Sequence, residues 1–189
     1  MANKSVIYYK GLHMTNHLYI TYPENEWYAT VIFTSSCRYV TKEAGNQDDW
    51  NKLFGIRRSP LCNYINGAYL AWCYPNYPIG HANYNKIRIG WYLHNGNGKF
   101  VLMPLSETIY VDINEPVVMS IKNYSDNFVY NLNDKIIDIN KSAYGIDRFS
   151  NGWRLSPNFG GQETPDHNIV IKYNLGGITE TNILHQAGF

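Results

Sequence analysis

Apolar and polar residues alternate with a period of two along almost the whole chain, the pattern of strands that turn one face to a core and the other outward. Val6-Ile7-Tyr8-Tyr9 opens the series. Residues 17–22 follow and stop at Pro23, and residues 27–34, rich in aromatic and β-branched side chains, predict a third strand. Residues 68–73 read as a buried strand. In residues 86–93 the side chains of Ile87, Ile89, Trp91 and Leu93 fall on one face. Asn95-Gly96-Asn97-Gly98 supplies residues that tolerate positive φ and turns the chain back into 100–103. Next come 108–113, with Ile109, Val111 and Ile113 inward, and 117–121. A second hairpin turns at Asn133-Asp134 between 128–132 and 135–139. Residues 153–155 and 167–173 close the pattern, and the tail from Leu175 to Phe189 has no clear period.

One stretch breaks the alternation. In residues 46–55, Asp48 or Asp49 suits a helix N-cap, Trp50, Leu53 and Phe54 have helical spacing, and Gly55 suits a stop. The expectation is one short helix among about ten or eleven strands, spaced as in sandwiches and barrels. No sustained strand–helix alternation occurs, which argues against a parallel α/β sheet. No repeat, linker or low-complexity segment divides the chain, so residues 1–189 are expected to form a single antiparallel β-sandwich domain.

Composition agrees with strands. Of 189 residues, 44% are hydrophobic, enough for a core, and 16% are charged, against about a quarter in ordinary domains. The net charge of +1 gives no field to steer the chain to nucleic acid or an anionic membrane. No apolar run is long enough to span a bilayer. The start lacks a basic region followed by an apolar one, so no signal peptide is expected. Cys37, Cys62 and Cys73 have no CxxC spacing; buried free thiols are expected, with a Cys62–Cys73 bridge as the alternative. The 17 Tyr and five Trp suit half-buried sheet surfaces and are also favoured contact residues.

The segment Trp153-Arg154-Leu155-Ser156-Pro157-Asn158-Phe159-Gly160-Gly161-Gln162-Glu163-Thr164-Pro165-Asp166-His167-Asn168-Ile169 resembles a closing signature of small bacterial and phage jelly-roll β-sandwiches of concanavalin-like shape. Residues 86–92 and the hairpin 130–137 resemble further parts of such modules, so the resemblance covers about residues 86–173. Asn158 stands where an aromatic is commoner. The resemblance implies a jelly-roll fold, and functions associated with glycan recognition, polysaccharide degradation or phage particles. By its own chemistry the motif reads as a structural corner: Gly160-Gly161 can turn sharply, and Pro165 fixes the chain before the last strand.

Catalytic patterns are sparse. A sandwich glycosidase needs two carboxylates across a cleft; Glu24-x-Glu26 is the nearest pair and reads as a turn after Pro23. The six histidines lack zinc spacing, no calcium loop occurs, and no cofactor or metal is expected. Arg88, Tyr92 and His94 on one strand could serve a polysaccharide lyase as charge neutraliser and base, or form an ordinary polar outer face. Sugars bind aromatic faces, with polar groups satisfying hydroxyls. The candidate contact set is therefore Tyr74, Tyr77, His81, Tyr84, Arg88, Tyr92 and His94, while Trp72 and Trp91 read as core.

The function expected first is a non-enzymatic structural or attachment component of a phage particle, located in the virion, that self-associates or docks on a larger assembly and takes part in glycan recognition. A secreted carbohydrate-binding module at the cell surface is the first alternative. A polysaccharide lyase or glycoside hydrolase is the second.

Overall fold

A computed structural model describes residues 4–16, 25–60, 65–155 and 157–175. Among these residues there are twelve strands: β1 (Lys4–Tyr8), β2 (Glu26–Phe33), β3 (Asn51–Arg57), β4 (Gly67–Cys73), β5 (Lys86–His94), β6 (Phe100–Leu102), β7 (Ile109–Asp112), β8 (Pro116–Asn123), β9 (Asn127–Leu132), β10 (Lys135–Asn140), β11 (Trp153–Leu155) and β12 (Ile169–Leu175). They form two sheets with every pairing antiparallel. One runs β1-β12-β2-β8-β9-β10; the other runs β11-β3-β4-β5-β6, with β7 also on β5. The fold is an all-β antiparallel sandwich, as the alternation predicts, of the jelly-roll kind that the resemblance implies. The expected strand at 17–22, Cys62, and nearly all of the tail lie outside the described residues.

The inward faces meet in one core. Ile87, Ile89, Trp91 and Leu93 of β5 are buried against Val31, Met119, Ile121 and Tyr130 of the other sheet's strands. Trp72 is fully buried and donates from Nε1 to the Tyr8 hydroxyl at 3.2 Å, with the rings of Tyr8, Phe33 and Tyr39 all within 6 Å of its centroid. Trp72 and Trp91 are core, as expected from sequence. Cys37 and Cys73 are buried free thiols, which removes the bridge to Cys73 considered above.

The expected helix at 46–55 is a strand. A single 3-10 turn spans Ala44–Asn46, and β3 begins at Asn51. The reason is a bulge: the register of β3 against β4 shifts between Lys52 and Phe54. Two consecutive residues, Leu53 and Phe54, are therefore both buried, and this breaks the period of two in a way that imitates helical spacing.

The hairpin at Asn133-Asp134 forms as predicted. Leu132 pairs with Lys135, and the two turn residues have φ of 51° and 73°. Such a turn suits glycine best at its second position. Asp134→Gly is expected to raise stability by about 0.5 kcal/mol and Asp134→Val to lower it by about 1–2 kcal/mol, read from urea unfolding midpoints.

Candidate ligand-binding face

The outward face of the sheet built on β3, β4 and β5 is where chemistry-bearing residues collect. Cross-strand pairing sets Arg57, Gly67 and His94 in one row, Gly55, Tyr69 and Tyr92 in the next, and Lys52, Ala71 and Gly90 in a third. The space that Gly90 leaves open in the third row is filled by Met103 and Thr108, and Lys52 extends from its edge toward the first two rows. Its Nζ sits 3.4 Å from His94 Nε2, 4.9 Å from the centroid of Tyr69 and 5.3 Å from that of Tyr92. The Tyr69, Tyr92 and His94 rings meet edge to face, at 5.6–5.7 Å from Tyr69 and 5.0 Å between Tyr92 and His94. Phe100 of β6, 63% exposed, lies parallel to Tyr92 and extends the aromatic surface outward.

Electrostatics follow from this packing. Burial, and then the Lys52 charge, push the His94 imidazole down to about 4, so it is neutral near pH 7 and its Nε2 accepts from the Lys52 amine. Burial lowers Lys52 to about 8, which leaves it mostly protonated at neutral pH. The cluster is a half-buried ammonium on an aromatic floor.

The other residues singled out from sequence fall elsewhere. Arg88 shares the outward face with Tyr92, but it is 5% exposed. Its Nε donates to Cys73 Sγ at 3.3 Å, its guanidinium pairs with Asp48 at 3.0 Å, and it lies over Trp50. It ties the 48–50 loop to the sheet. Tyr74, expected as a surface contact, is buried against Tyr39, and its carbonyl accepts from Gln47. Tyr77 and His81 stack at 4.0 Å, and the Tyr77 hydroxyl is 3.0 Å from that of Tyr110, a hydrogen bond that, with burial, pushes Tyr77 up to about 12. They form a second, separate cluster with Tyr84 exposed nearby in sequence. Lys52, Arg57 and Phe100 were not singled out. Lys52 was hidden by the helical spacing at 46–55, and Phe100 by its position just after a turn.

The Phe159-Gly160-Gly161 motif serves the site from behind. Asn158 and Lys52 exchange backbone bonds at 2.9 Å in each direction, Gly160 N donates to Asn51 Oδ1 at 2.7 Å, and Phe159 packs on Tyr8 and Tyr39. Glu163 accepts from Lys42 N, Glu43 N and Asn46 Nδ2 at 2.8–2.9 Å, which holds its carboxyl below the ordinary value. His167 Nε2 bonds the Ser36 carbonyl at 2.8 Å. The bonds of Asn158, Gly160, Glu163 and His167 are all structural, and the corner clamps the start of β3. Among the described residues no cluster of three or more His, Cys, Asp or Glu could hold a metal ion, and no helix is long and apolar enough to cross a membrane.

No family model matches the sequence, and no curated protein matches it. Solved structures of similar shape include an alginate lyase from Klebsiella pneumoniae, with a TM-score of 0.48 and 12% identity over 80% of this chain and 57% of that one. A carbohydrate-binding module, CBM66 from Bacillus subtilis, aligns at 0.43 and 11% identity over 92% and 75%. The CBM40 of a Ruminococcus gnavus IT-sialidase, solved with alpha2,3 sialyllactose, aligns at 0.40 and 11% identity over 88% and 84%. The chain thus spans little more than half the length of the lyase, and at these identities and scores the likeness is one of shape.

Proposed function

We propose that this chain is a recognition sandwich that binds a carboxylate-bearing glycan on the outward face of the sheet built on β3, β4 and β5. The observation that supports this most is the Lys52 ammonium held over Tyr69 and Tyr92 beside neutral His94. Tyr92 and exposed Phe100 offer flat faces to the C–H surface of a sugar ring, and Lys52 offers a charge that a uronate or sialate carboxyl would pair with. The phage-particle role expected from sequence gains no support from this arrangement or from the similar structures.

The test is a glycan array followed by titration calorimetry. Acidic glycans should bind and their neutral counterparts should not. Lys52→Met should weaken binding by at least about tenfold, the loss expected for a charge-assisted hydrogen bond, with no loss of fold. Affinity should also decline as pH rises through about 8, where the Lys52 amine gives up its proton. Equal binding of neutral glycans, or unchanged binding by Lys52→Met, sinks the proposal.

A second reading, elimination on a uronate polymer, is favoured by one geometry: Tyr92 and neutral His94 adjoin, 5.0 Å between ring centroids, with Lys52 beside them. The neutral imidazole would take the C5 proton next to the carboxylate, the C4–C5 double bond would form as the C4–O glycosidic bond breaks, and the Tyr92 hydroxyl would protonate the leaving oxygen, while Lys52 neutralises the developing charge. Tyr92→Phe separates the two readings. It keeps stacking, so a binder retains affinity, whereas a lyase that uses the Tyr92 hydroxyl stops releasing unsaturated sugar.

A further inference from the structure

Lys141 lies just beyond β10 and is fully buried. Its amine stands 4.5 Å from the ring centroid of Phe128 and 4.1 Å from that of Phe149. Nζ shares its three N–H groups among four oxygens, Asn123 Oδ1 at 2.6 Å and the backbone carbonyls of Tyr124 at 2.5 Å, Ser125 at 3.2 Å and Phe149 at 2.5 Å. A buried charge without such acceptors is costly, and breaking a buried cluster by removing one member is costlier than never having built it. Burial pushes the amine down to about 8 while Asp126 pulls it back up, so it carries its proton at neutral pH. The oxygens come from two segments, the turn after β8 and the loop at Phe149. Without a cation between them they would face one another with no donor from this side chain.

We infer that Asn123 Oδ1 and the carbonyls of Tyr124, Ser125 and Phe149 form a monovalent-cation site, which the chain fills with its own tethered Lys141 ammonium. The donor set decides the class of cation. Magnesium demands an octahedral shell at about 2.0–2.1 Å, and calcium takes about six to eight oxygens, carboxylates among them. This cage has four neutral oxygens, and the nearby Asp126 carboxylate is paired with Arg148 at 2.6 Å instead. Backbone carbonyls of this kind replace the hydration shell of potassium in ion filters. Ammonium, methylammonium and potassium are therefore the external cations that should enter once the side chain is cut back. The occupied cage also bears on the ligand-binding face. It fixes the segment whose Gly145 carbonyl accepts Gly96 N at 2.8 Å, in the turn after His94.

The experiment compares the full chain with Lys141→Ala by thermal unfolding in choline, sodium, potassium, ammonium, methylammonium and magnesium chloride at equal ionic strength. In choline the variant should melt about 5–10 °C below the parent. Ammonium, methylammonium or potassium should restore roughly a third of that or more by binding the folded state, magnesium should not, and the parent should be indifferent. A variant as stable as the parent, or a lowered midpoint that does not discriminate among the cations, overturns the inference. Should the variant not fold, the parent decides: under acetylation at neutral pH that labels exposed Lys10 and Lys172, Lys141 should stay unmodified. Its full acetylation in the folded chain overturns the inference. So does an intact mass one ammonia short, with Lys141 joined to Asn123 by an amide.

Discussion

Gly160→Ala is expected to cost about 3 kcal/mol of stability, the upper range for an overpacked site. A Cβ at position 160 would run into the carbonyl of Trp50 and lie 3.4 Å from Asn51 N, and both are backbone atoms that cannot rotate away. Nor can the backbone there slide. Asn51 opens β3, its side-chain oxygen accepts Gly160 N, and the next residue, Lys52, exchanges two hydrogen bonds with Asn158. On the far side, Phe159 is wedged between Tyr8 and Tyr39. The added methyl must therefore push the corner away from β3 or push β3 away from β4. Gly45→Ala is the control, since a methyl there meets nothing within 4 Å. Urea unfolding of the two variants checks the expectation, and costs within about 0.5 kcal/mol of each other would refute it. The corner also holds the backbone of Lys52, so Gly160→Ala should weaken the proposed glycan binding more than its residual folded fraction explains.

The same corner shows how much of this molecule was legible in its sequence. Gly160-Gly161 and Pro165 were readable as a sharp structural turn, because glycine without a Cβ is what a close backbone approach demands. The sandwich was readable because β2 and β9 bury alternate side chains, and Asn133-Asp134 because a two-residue hairpin needs positive φ. The bulge in β3 was not readable. One inserted residue buries Leu53 and Phe54 together, and nothing in a period-two or period-3.6 template distinguishes that from a helical turn. The cost of that miss fell on the candidate site. With 46–55 taken as helix, Lys52 had no reason to lie across from Ala71 and Gly90, where its amine reaches Tyr69, Tyr92 and His94.

Tyr92 and His94 were legible for the complementary reason. They share a strand, and residues two apart share a face whatever the rest of the fold does. Arg88 shares that face too, roughly 13 Å along the strand from Tyr92, and alternation alone could not tell that the 48–50 loop would fold over it. Periodicity places a side chain on a face. What covers the face is decided by loops whose path no local pattern encodes, and this also explains why Tyr74 went inward while Tyr77 and His81 stacked with each other.

Acid should destabilise the folded chain through His94. Its native value, pushed to about 4 by burial and by Lys52, lies below the unfolded value of 6.5. Above about pH 6.5 both states hold the imidazole neutral, and this residue adds no pH dependence. Between about 6.5 and 4 the unfolded chain takes up a proton that the folded chain refuses. Stability therefore drops as pH falls, by at most about 1.4 kcal/mol per pH unit and about 3 kcal/mol over the window. The physical cause is local: protonating His94 would put a charge on a buried ring, and would also set two cations 3.4 Å apart. His94→Gln keeps a neutral polar side chain and removes the titration, so its unfolding free energy should lose that part of the slope. Urea midpoints for both chains at several pH values across the window make the comparison, and carboxylates common to both cancel in the difference. Parallel curves would show that His94 titrates as it does in water, and would take away the desolvated ammonium–imidazole pair on which the proposed glycan recognition rests.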